Sequence, residues 1–465
     1  MFPGLTLAHW LTLHGLVTVV AVLLYVITSH VMRQRRQPAA AIAWMLFILL
    51  LPYVALPAFL TFGSRKLARP RSSAPGRSLP TPTDDDWVAP TLVSLGQPAP
   101  MAYRELHVHA DGRVARDTFL AAIAEARHSI DLCTFILGRD ALGDAVIDAL
   151  CRRARQGVRV RLLLDGMGNV MAGRPNVNRL TEAGGTSALF VPPLHSPLKG
   201  RTNLRIHRKL LVCDAGSTSA RLWSGGRNLA ADYFEGRPGH APWRDLSFDL
   251  RGPLVQQAAQ MFEHDWAFAT GGPVTPEAPA PAQAMLSEKG AQLVASGPDQ
   301  VDDTVYSLLV MAAYRAQQRI ALVTPYFVPE PALLIALCLA ARRGVAVDLL
   351  LPARSNHRLS DLARGRALRS LAQAGARTWL APGMLHAKLV VVDDSLALAG
   401  SANLDSRSLF LNYEVMLAFR QAGDVQRFAA WFDSERAAAC AYVADRPGLA
   451  RDVAEGMLLW VGFQL

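Results

Sequence analysis

Two uncharged apolar runs open the chain. Residues 10–31 carry no formal charge and are long enough to cross a bilayer as a helix, and Arg33, Arg35 and Arg36 follow them. Residues 39–62 form a second run, interrupted by Pro52 and Pro57 and closed by Arg65, Lys66, Arg69 and Arg71. A cleaved signal peptide fits poorly, because no Lys or Arg precedes the first run and a second run follows at once. A membrane hairpin over residues 1–66 is expected. The larger basic cluster after the second run favours an N-terminus and a main domain that are both cytoplasmic, although a re-entrant second segment, broken at its prolines, also fits.

Beyond the hairpin the pattern changes twice to low complexity. Residues 67–100 are rich in Pro, Ser, Gly and charge, and 271–285 are rich in Pro and Ala; both read as linkers. They divide the remaining chain into halves, 101–270 and 286–465, whose patterns resemble each other. Each half offers a helical run (119–127 and 305–315) and then a strand-like run (129–137 and 319–327). An amphipathic helix ending in arginines and a glycine follows (Gly157 and Gly344), leading into a buried strand. Alternating strands and helices predict two α/β/α halves with mixed sheets, related by approximate two-fold symmetry.

Composition narrows the partners. The 465 residues are 51% apolar and carry a net charge of +10, which favours anionic partners such as phospholipid headgroups, nucleic acid or phosphorylated substrates. Arginine supplies nearly all of the positive charge, for only five lysines occur: Lys66, Lys199, Lys209, Lys289 and Lys388. Five scattered cysteines without a CxxC pair argue against a disulfide framework and a zinc site, so no metal and no cofactor is expected.

Two of the five lysines belong to a repeated pattern, His-x-Lys-x4-Asp. It runs His207, Lys209, Asp214 in the first half and His386, Lys388, Asp393 in the second, each with an apolar run before the Asp. In a strand the two-residue period puts His and Lys on one face. A phosphodiester is anionic, so attack on it needs a positive cradle, a nucleophile and an acid for the leaving alkoxide. Two His-Lys units supply all three: one imidazole attacks phosphorus and the other protonates the leaving oxygen, while the lysines clamp the non-bridging oxygens. Asn228 and Asn403 follow the two copies at Gly/Ser-rich turns and are candidate hydrogen-bond donors beside the lysines. Asp245 and Glu414 stand at matching points downstream and are candidates to hold the second nitrogen of each imidazole. Asp214 and Asp393, though part of the candidate catalytic set, close their strands and are expected to brace the turn or neighbouring backbone.

The doubled motif, with Gly225-Gly226-Arg227-Asn228 after one copy and Gly400-Ser401-Ala402-Asn403 after the other, resembles the phospholipase D superfamily. The apolar hairpin, Thr324-Pro-Tyr-Phe-Val-Pro329 and Asn403-Leu-Asp-Ser-Arg-Ser-Leu409 narrow the resemblance to bacterial cardiolipin synthases of the membrane-anchored type. It implies a phosphatidyltransferase of the bacterial inner membrane, with phosphatidylglycerol as both donor and acceptor and cardiolipin and glycerol as products. It also implies a phosphohistidine on His207, with His386 as acid and then base. Two rivals use the same residues or charge: a phospholipase D that delivers the group to water, and a basic nuclease or nucleic-acid-binding protein. Against the latter, no aromatic platform for bases is interleaved with the arginines. One departure stands out: Asp214 and Gly225 are eleven positions apart, Asp393 and Gly400 seven, so a lengthened hairpin tip is expected at 215–220. The apolar C-terminus, 457–465, reads either as a membrane contact or as part of the core.

Overall fold

A computed structural model of the chain describes residues 7–31, 38–62, 86–192, 203–274 and 290–461, and every structural statement below concerns those residues. The first apolar run is one helix, Leu7–Val31, with an uninterrupted apolar window at Trp10–Ile27. The second run is divided into Pro38–Leu50 and Pro52–Phe62. Pro52 lacks an N–H and is suited to the first position of a new helix, so the chain breaks there and neither piece has the length of a full span. Tyr25, Trp44 and Phe59 pack the three helices together, with Phe59 edge-on to both other rings.

The two halves fold as repeats. The first contributes strands β1 (Arg104–His109), β2 (Ser129–Thr134), β3 (Arg159–Leu164), β4 (Thr186–Leu189), β5 (Arg205–Ile206), β6 (Leu210–Cys213), β7 (Arg221–Gly225) and β8 (Ser247–Arg251). The second contributes β9 (Gln292–Ser296), β10 (Arg319–Val323), β11 (Phe327–Val328), β12 (Ala346–Pro352), β13 (Arg377–Ala381), β14 (Leu389–Val392), β15 (Leu396–Gly400), β16 (Leu404–Asp405), β17 (Asn412–Phe419) and β18 (Cys440–Ala441). The first sheet has the order β1-β8-β7-β6-β2-β3-β4. In the second, β9-β17-β15-β14-β10-β12-β13 repeats that order, with β5 and β18 added to it. In the two large sheets, parallel pairing within each repeat is confined to the βαβ units, β2-β3-β4 and β10-β12-β13, so both are mixed, and β11 pairs parallel with β16 in a separate two-stranded sheet.

Local chemistry explains the crossover helices. Asp140 accepts from the Gly143 amide to cap the helix Ala141–Arg155, whose last turn carries Arg152, Arg153 and Arg155 against the helix dipole. Gly157, at φ +86°, then turns the chain into β3 in a conformation that costs glycine nothing. Glu330 caps Pro331–Arg342 and Gly344, at φ +93°, does the same before β12. The central strands β6, β14 and β17 are buried at every position. Both sheet faces are covered, which is why these runs read as continuously apolar rather than alternating. One core, containing Leu210, Phe248 and Phe262 from the first half and Leu389, Phe419 and Phe428 from the second, welds the halves together. Each half has a further core on its outer face.

Three sequence readings change here. Residues 86–99, read as the end of a linker from their composition, include the helix Val88–Ser94, and Trp87, Val88 and Leu92 are buried in the core of the second half. Gln97 also donates to Thr304 and accepts from the Ala295 amide, so the segment is fixed to that half. Each repeat begins one strand earlier than the helical runs suggested, with β1 and β9 at matching edges. The C-terminal helix Leu449–Val461 docks by its charged face, Asp452 and Glu455 pairing with Arg366 and Arg369, and leaves Met457 exposed. Residues 462–465 and the segment 67–85 lie outside the described residues.

Candidate active site

The motif histidines stand at the seam of the two halves because each half lends backbone to the other. β5 runs parallel to β17, pairing Arg205 with Asn412 and Ile206 with Tyr413, and the His207 amide donates to the Tyr413 carbonyl at 2.9 Å. The mirror contact is a bridge between Arg244 and Leu385, with the His386 amide donating to the Arg244 carbonyl at 2.6 Å. Each histidine therefore enters its strand beside the acid of the opposite half.

The acids are exchanged accordingly. Glu414 of the second half faces His207 of the first, its carboxylate oxygens 2.9 and 3.0 Å from Nδ1. Asp245 of the first half holds His386 Nδ1 at 2.8 Å. A carboxylate on Nδ1 fixes that nitrogen as the N–H donor and leaves Nε2 with the lone pair that nucleophilic or basic chemistry uses. Glu414 is itself fixed by Ser401 Oγ and Ser408 Oγ, each at 2.5 Å, and by the Asn412 amide at 3.3 Å. Asp245 accepts from the Leu246 amide at 2.7 Å and sits over Gly226, where a Cβ would fall 2.2 Å from its Oδ1. Gly226 and Ser401 hold the same place in their repeats. Glu414 has a hydroxyl beside it, whereas the Asp245 carboxylate fills the space that a side chain at 226 would take.

Electrostatics follow from burial. Both imidazoles are buried, and desolvation pushes His207 down to about 4 against the opposing pull of Glu414. Desolvation, with the charge of Lys388 added, pushes His386 down to about 3. Burial also lowers Lys209 to about 8 and Lys388 to about 7. Glu414 and Asp245 are held below the usual carboxylate range: their cationic partners outweigh a desolvation that acts to raise them. The field of Lys388 reaches His207 and that of Lys209 reaches His386, so the four basic groups form one cluster. Lys209 Nζ donates to the His207 carbonyl at 2.7 Å, and Lys388 Nζ lies over the His386 ring, 2.8 Å from Nδ1 and 3.0 Å from Nε2. Phe135 meets His207 edge-on at 5.1 Å, while Tyr233 and Trp243 pack on His386 at 5.0 and 5.7 Å.

The remaining candidates are placed as follows. Asp214 and Asp393 lie at the far ends of β6 and β14 from the histidines. Asp214 accepts from the amides of Arg127, His128 and Ser129, and Asp393 from those of Gln317, Gln318 and Arg319. Both have positive φ, 51° and 47°, so each folds back to pin the entrance of β2 or β10. Their work is bracing, away from the imidazoles. The Asn228 amide donates to Tyr233 Oη at 2.8 Å, whereas Asn403 has a buried Oδ1 without a hydrogen-bond partner. The long 215–220 turn is absorbed at the hairpin tip: Leu210 pairs with Ser224 as Leu389 pairs with Ala399, leaving Gly225 and Gly400 in equivalent register. Sequence reasoning missed Ser401, Ser408, Phe135, Tyr233 and Trp243 as supports. The two serines lie inside motif segments, but only the fold aims their hydroxyls at Glu414. Among the described residues no three His, Cys, Asp or Glu side chains converge as a metal site.

A pair of His-Lys units, cross-held by acids at the seam of two repeated α/β halves, defines a phospholipase D-like protein. The family model described as "Cardiolipin synthase, PLD-like domain" matches residues 119–266 and 309–436, and "Phospholipase_D-nuclease N-terminal" matches 17–64. The chain is 32% identical over 412 residues to cardiolipin synthase A of Pseudomonas putida (strain W619), covering 83% of this chain and 84% of that one. It is 30% identical over 446 residues to cardiolipin synthase A of Klebsiella pneumoniae (strain 342), covering 90% of both. The crystal structure of phosphatidylserine synthase from Haemophilus influenzae Rd KW20 shares the fold, with a TM-score of 0.61 at 12% identity over 79% of this chain and 97% of that one. The chain belongs to the cardiolipin synthase, PLD-like family.

Proposed function

We propose that this protein is a cardiolipin synthase, a phosphatidyltransferase that moves a phosphatidyl group from one phosphatidylglycerol to another. The observation that carries the reading is the meeting of His207 and His386 at one seam, each held on Nδ1 by the other half's carboxylate. Nε2 of His207 attacks phosphorus, the bond to the headgroup oxygen breaks, and His386 protonates the departing glycerol. His386, now neutral, takes the proton from a hydroxyl of the second phosphatidylglycerol. That oxygen attacks the phosphohistidine, the P–N bond breaks, and cardiolipin leaves. Placing the nucleophile at His207 follows the family resemblance, and the bidentate Glu414 supports it by stabilising the positive charge that the ring gains on phosphorylation.

Burial and the neighbouring lysines depress both histidines. A phosphodiester brought against Lys209 and Lys388 raises all four basic groups, which lets His386 carry the proton it must deliver. The Leu7–Val31 helix has the length and apolarity to cross a bilayer, and a bacterial inner-membrane location with the catalytic halves in the cytoplasm fits a lipid donor and acceptor. The test is incubation of purified protein with labelled phosphatidylglycerol in vesicles and separation of products. Cardiolipin with glycerol is expected; phosphatidic acid alone would establish hydrolysis instead. His207→Ala and His386→Ala should each abolish turnover, and near-normal activity in either would overturn the shared site.

A further inference from the structure

The helices that follow β3 and β12 hold equivalent places in the two repeats, and both turn apolar side chains outward beside the active site. The first, Gly166–Met171, presses on the His207 side: a Cβ at Gly168 would fall 1.9 Å from the Phe135 carbonyl oxygen, and the Phe135 ring meets His207 at 5.1 Å. Met167, Val170 and Met171 on this helix are 39%, 37% and 67% exposed. The second, Arg358–Ala363, is tied to the His386 side through Asn356, which accepts from Tyr326 Oη at 2.6 Å. Tyr326 leads directly into β11, which pairs with β16 at Leu404, next to Asn403. Leu359 on this helix is 50% exposed.

Single exposed apolar side chains are ordinary, but these flank one site from both sides, so a shared cause is more economical than two accidents. Their polar neighbours narrow that cause. Exposed Arg139 and Arg174 adjoin the first helix, with the Arg139 side chain 3.8 Å from where a Cβ at Gly173 would lie, and exposed Arg354 and Arg358 adjoin the second. Apolar side chains with two exposed arginines at each helix match a surface whose outer layer is anionic and whose next layer is hydrocarbon. We infer that these two helices form a docking surface that seats the mouth of the active site on an anionic phospholipid bilayer. The inference rests on the lipid-transferring reading above and adds to it the residues through which a lipid reaches the histidines without crossing water.

The experiment uses the full chain in vesicles of phosphatidylglycerol and phosphatidylcholine, with Cys338 and Cys440 replaced by Ser. Single cysteines at Met171, Leu359 and Thr218 carry a fluorophore, and lipids with a quencher on the acyl chain report contact; Thr218 sits on the hairpin tip at the opposite end of the sheet. Quenching at 171 and 359 should exceed that at 218 by roughly threefold or more, and should weaken in vesicles of phosphatidylcholine alone. Equal quenching at the three positions overturns the surface, as it would if a protein partner covered these helices. Equal contact in both kinds of vesicle overturns its preference for anionic lipid. Met171→Asp with Leu359→Asp should lower the ratio of turnover on bilayer lipid to turnover on a monomeric short-chain phosphatidylglycerol by about tenfold. An unchanged ratio overturns the proposal. Absence of turnover by the unaltered protein on both lipids would instead defeat the functional reading, while the quenching still reports whether the surface exists.

Discussion

Replacing Glu414 with Gln removes one buried negative charge from His207 and changes almost nothing in volume. The carboxylate stands 2.9–3.0 Å from Nδ1, and phosphorylation or protonation of the ring places a positive charge against it. At an effective dielectric constant of about 20, opposite unit charges about 3 Å apart attract by about 5 kcal/mol, which sets a ceiling. Reorientation of the Ser401 and Ser408 hydroxyls offsets part of the loss, although Lys209 still repels the cationic ring, leaving about 3–4 kcal/mol, or between roughly two hundred- and a thousandfold in rate. Glu414 raises the His207 value, so the amide variant drives it further down and the free enzyme keeps a neutral nucleophile. The loss must therefore appear in forming the phosphohistidine, not in having the wrong proton at rest. Rapid quenching with labelled phosphatidylglycerol measures that step directly. Thermal melting in parallel reads a structural cost of about 1–3 kcal/mol, since the new amide faces hydroxyl and amide donors. Phosphohistidine formation within about threefold of the unaltered rate, in a folded variant, would refute the role given to Glu414.

Gly226→Ala should behave as a lesion of Asp245: the added methyl lies 2.2 Å from Oδ1 and displaces the acid from His386, so turnover should drop by roughly tenfold or more, whereas retained activity would show that Asp245 is not needed in place. Asp393→Asn tolerates the φ of 47° but weakens three backbone hydrogen bonds to Gln317, Gln318 and Arg319. It should cost about 2–4 kcal/mol in denaturant melts while the folded fraction keeps its turnover number. Acid should also destabilise the fold. His207 and His386 sit at about 4 and about 3 when folded against an ordinary 6.5, so the unfolded chain binds more protons between these values. Their contribution is complete above pH about 6.5 and is lost as pH falls through that value toward 4 and 3, at up to about 1.4 kcal/mol per pH unit for each histidine. Melting at pH 7 and pH 5 checks this, and a double His→Gln variant should flatten the difference.

Much of the site was readable because its spacing is local. His207 and Lys209 share a strand face whatever surrounds them, and the same holds for His386 and Lys388. The apolar runs, the arginine-ended helices and their glycines likewise carry the period of their own elements. The linker reading failed over 86–99 for the opposite reason: Trp87 and Leu92 are core residues only because another half supplies the groove that covers them. The second apolar run had the composition of one span, and Pro52 divided it into two short helices.

By itself the sequence determined the repeat, the doubled His-x-Lys-x4-Asp and an acid before the strand that follows each motif, all of them properties of residues close together in the chain. Which acid serves which histidine was a matter for tertiary structure. The pairing crosses between halves, 207 residues apart for His207 and Glu414 and 141 for His386 and Asp245. It follows from β5 lying beside β17 and Arg244 beside Leu385, contacts that exist only after two separate sheets have packed on a common core. The same packing buries the four basic groups and sets their proton affinities, because desolvation depends on everything that surrounds a group and not on its neighbours in sequence.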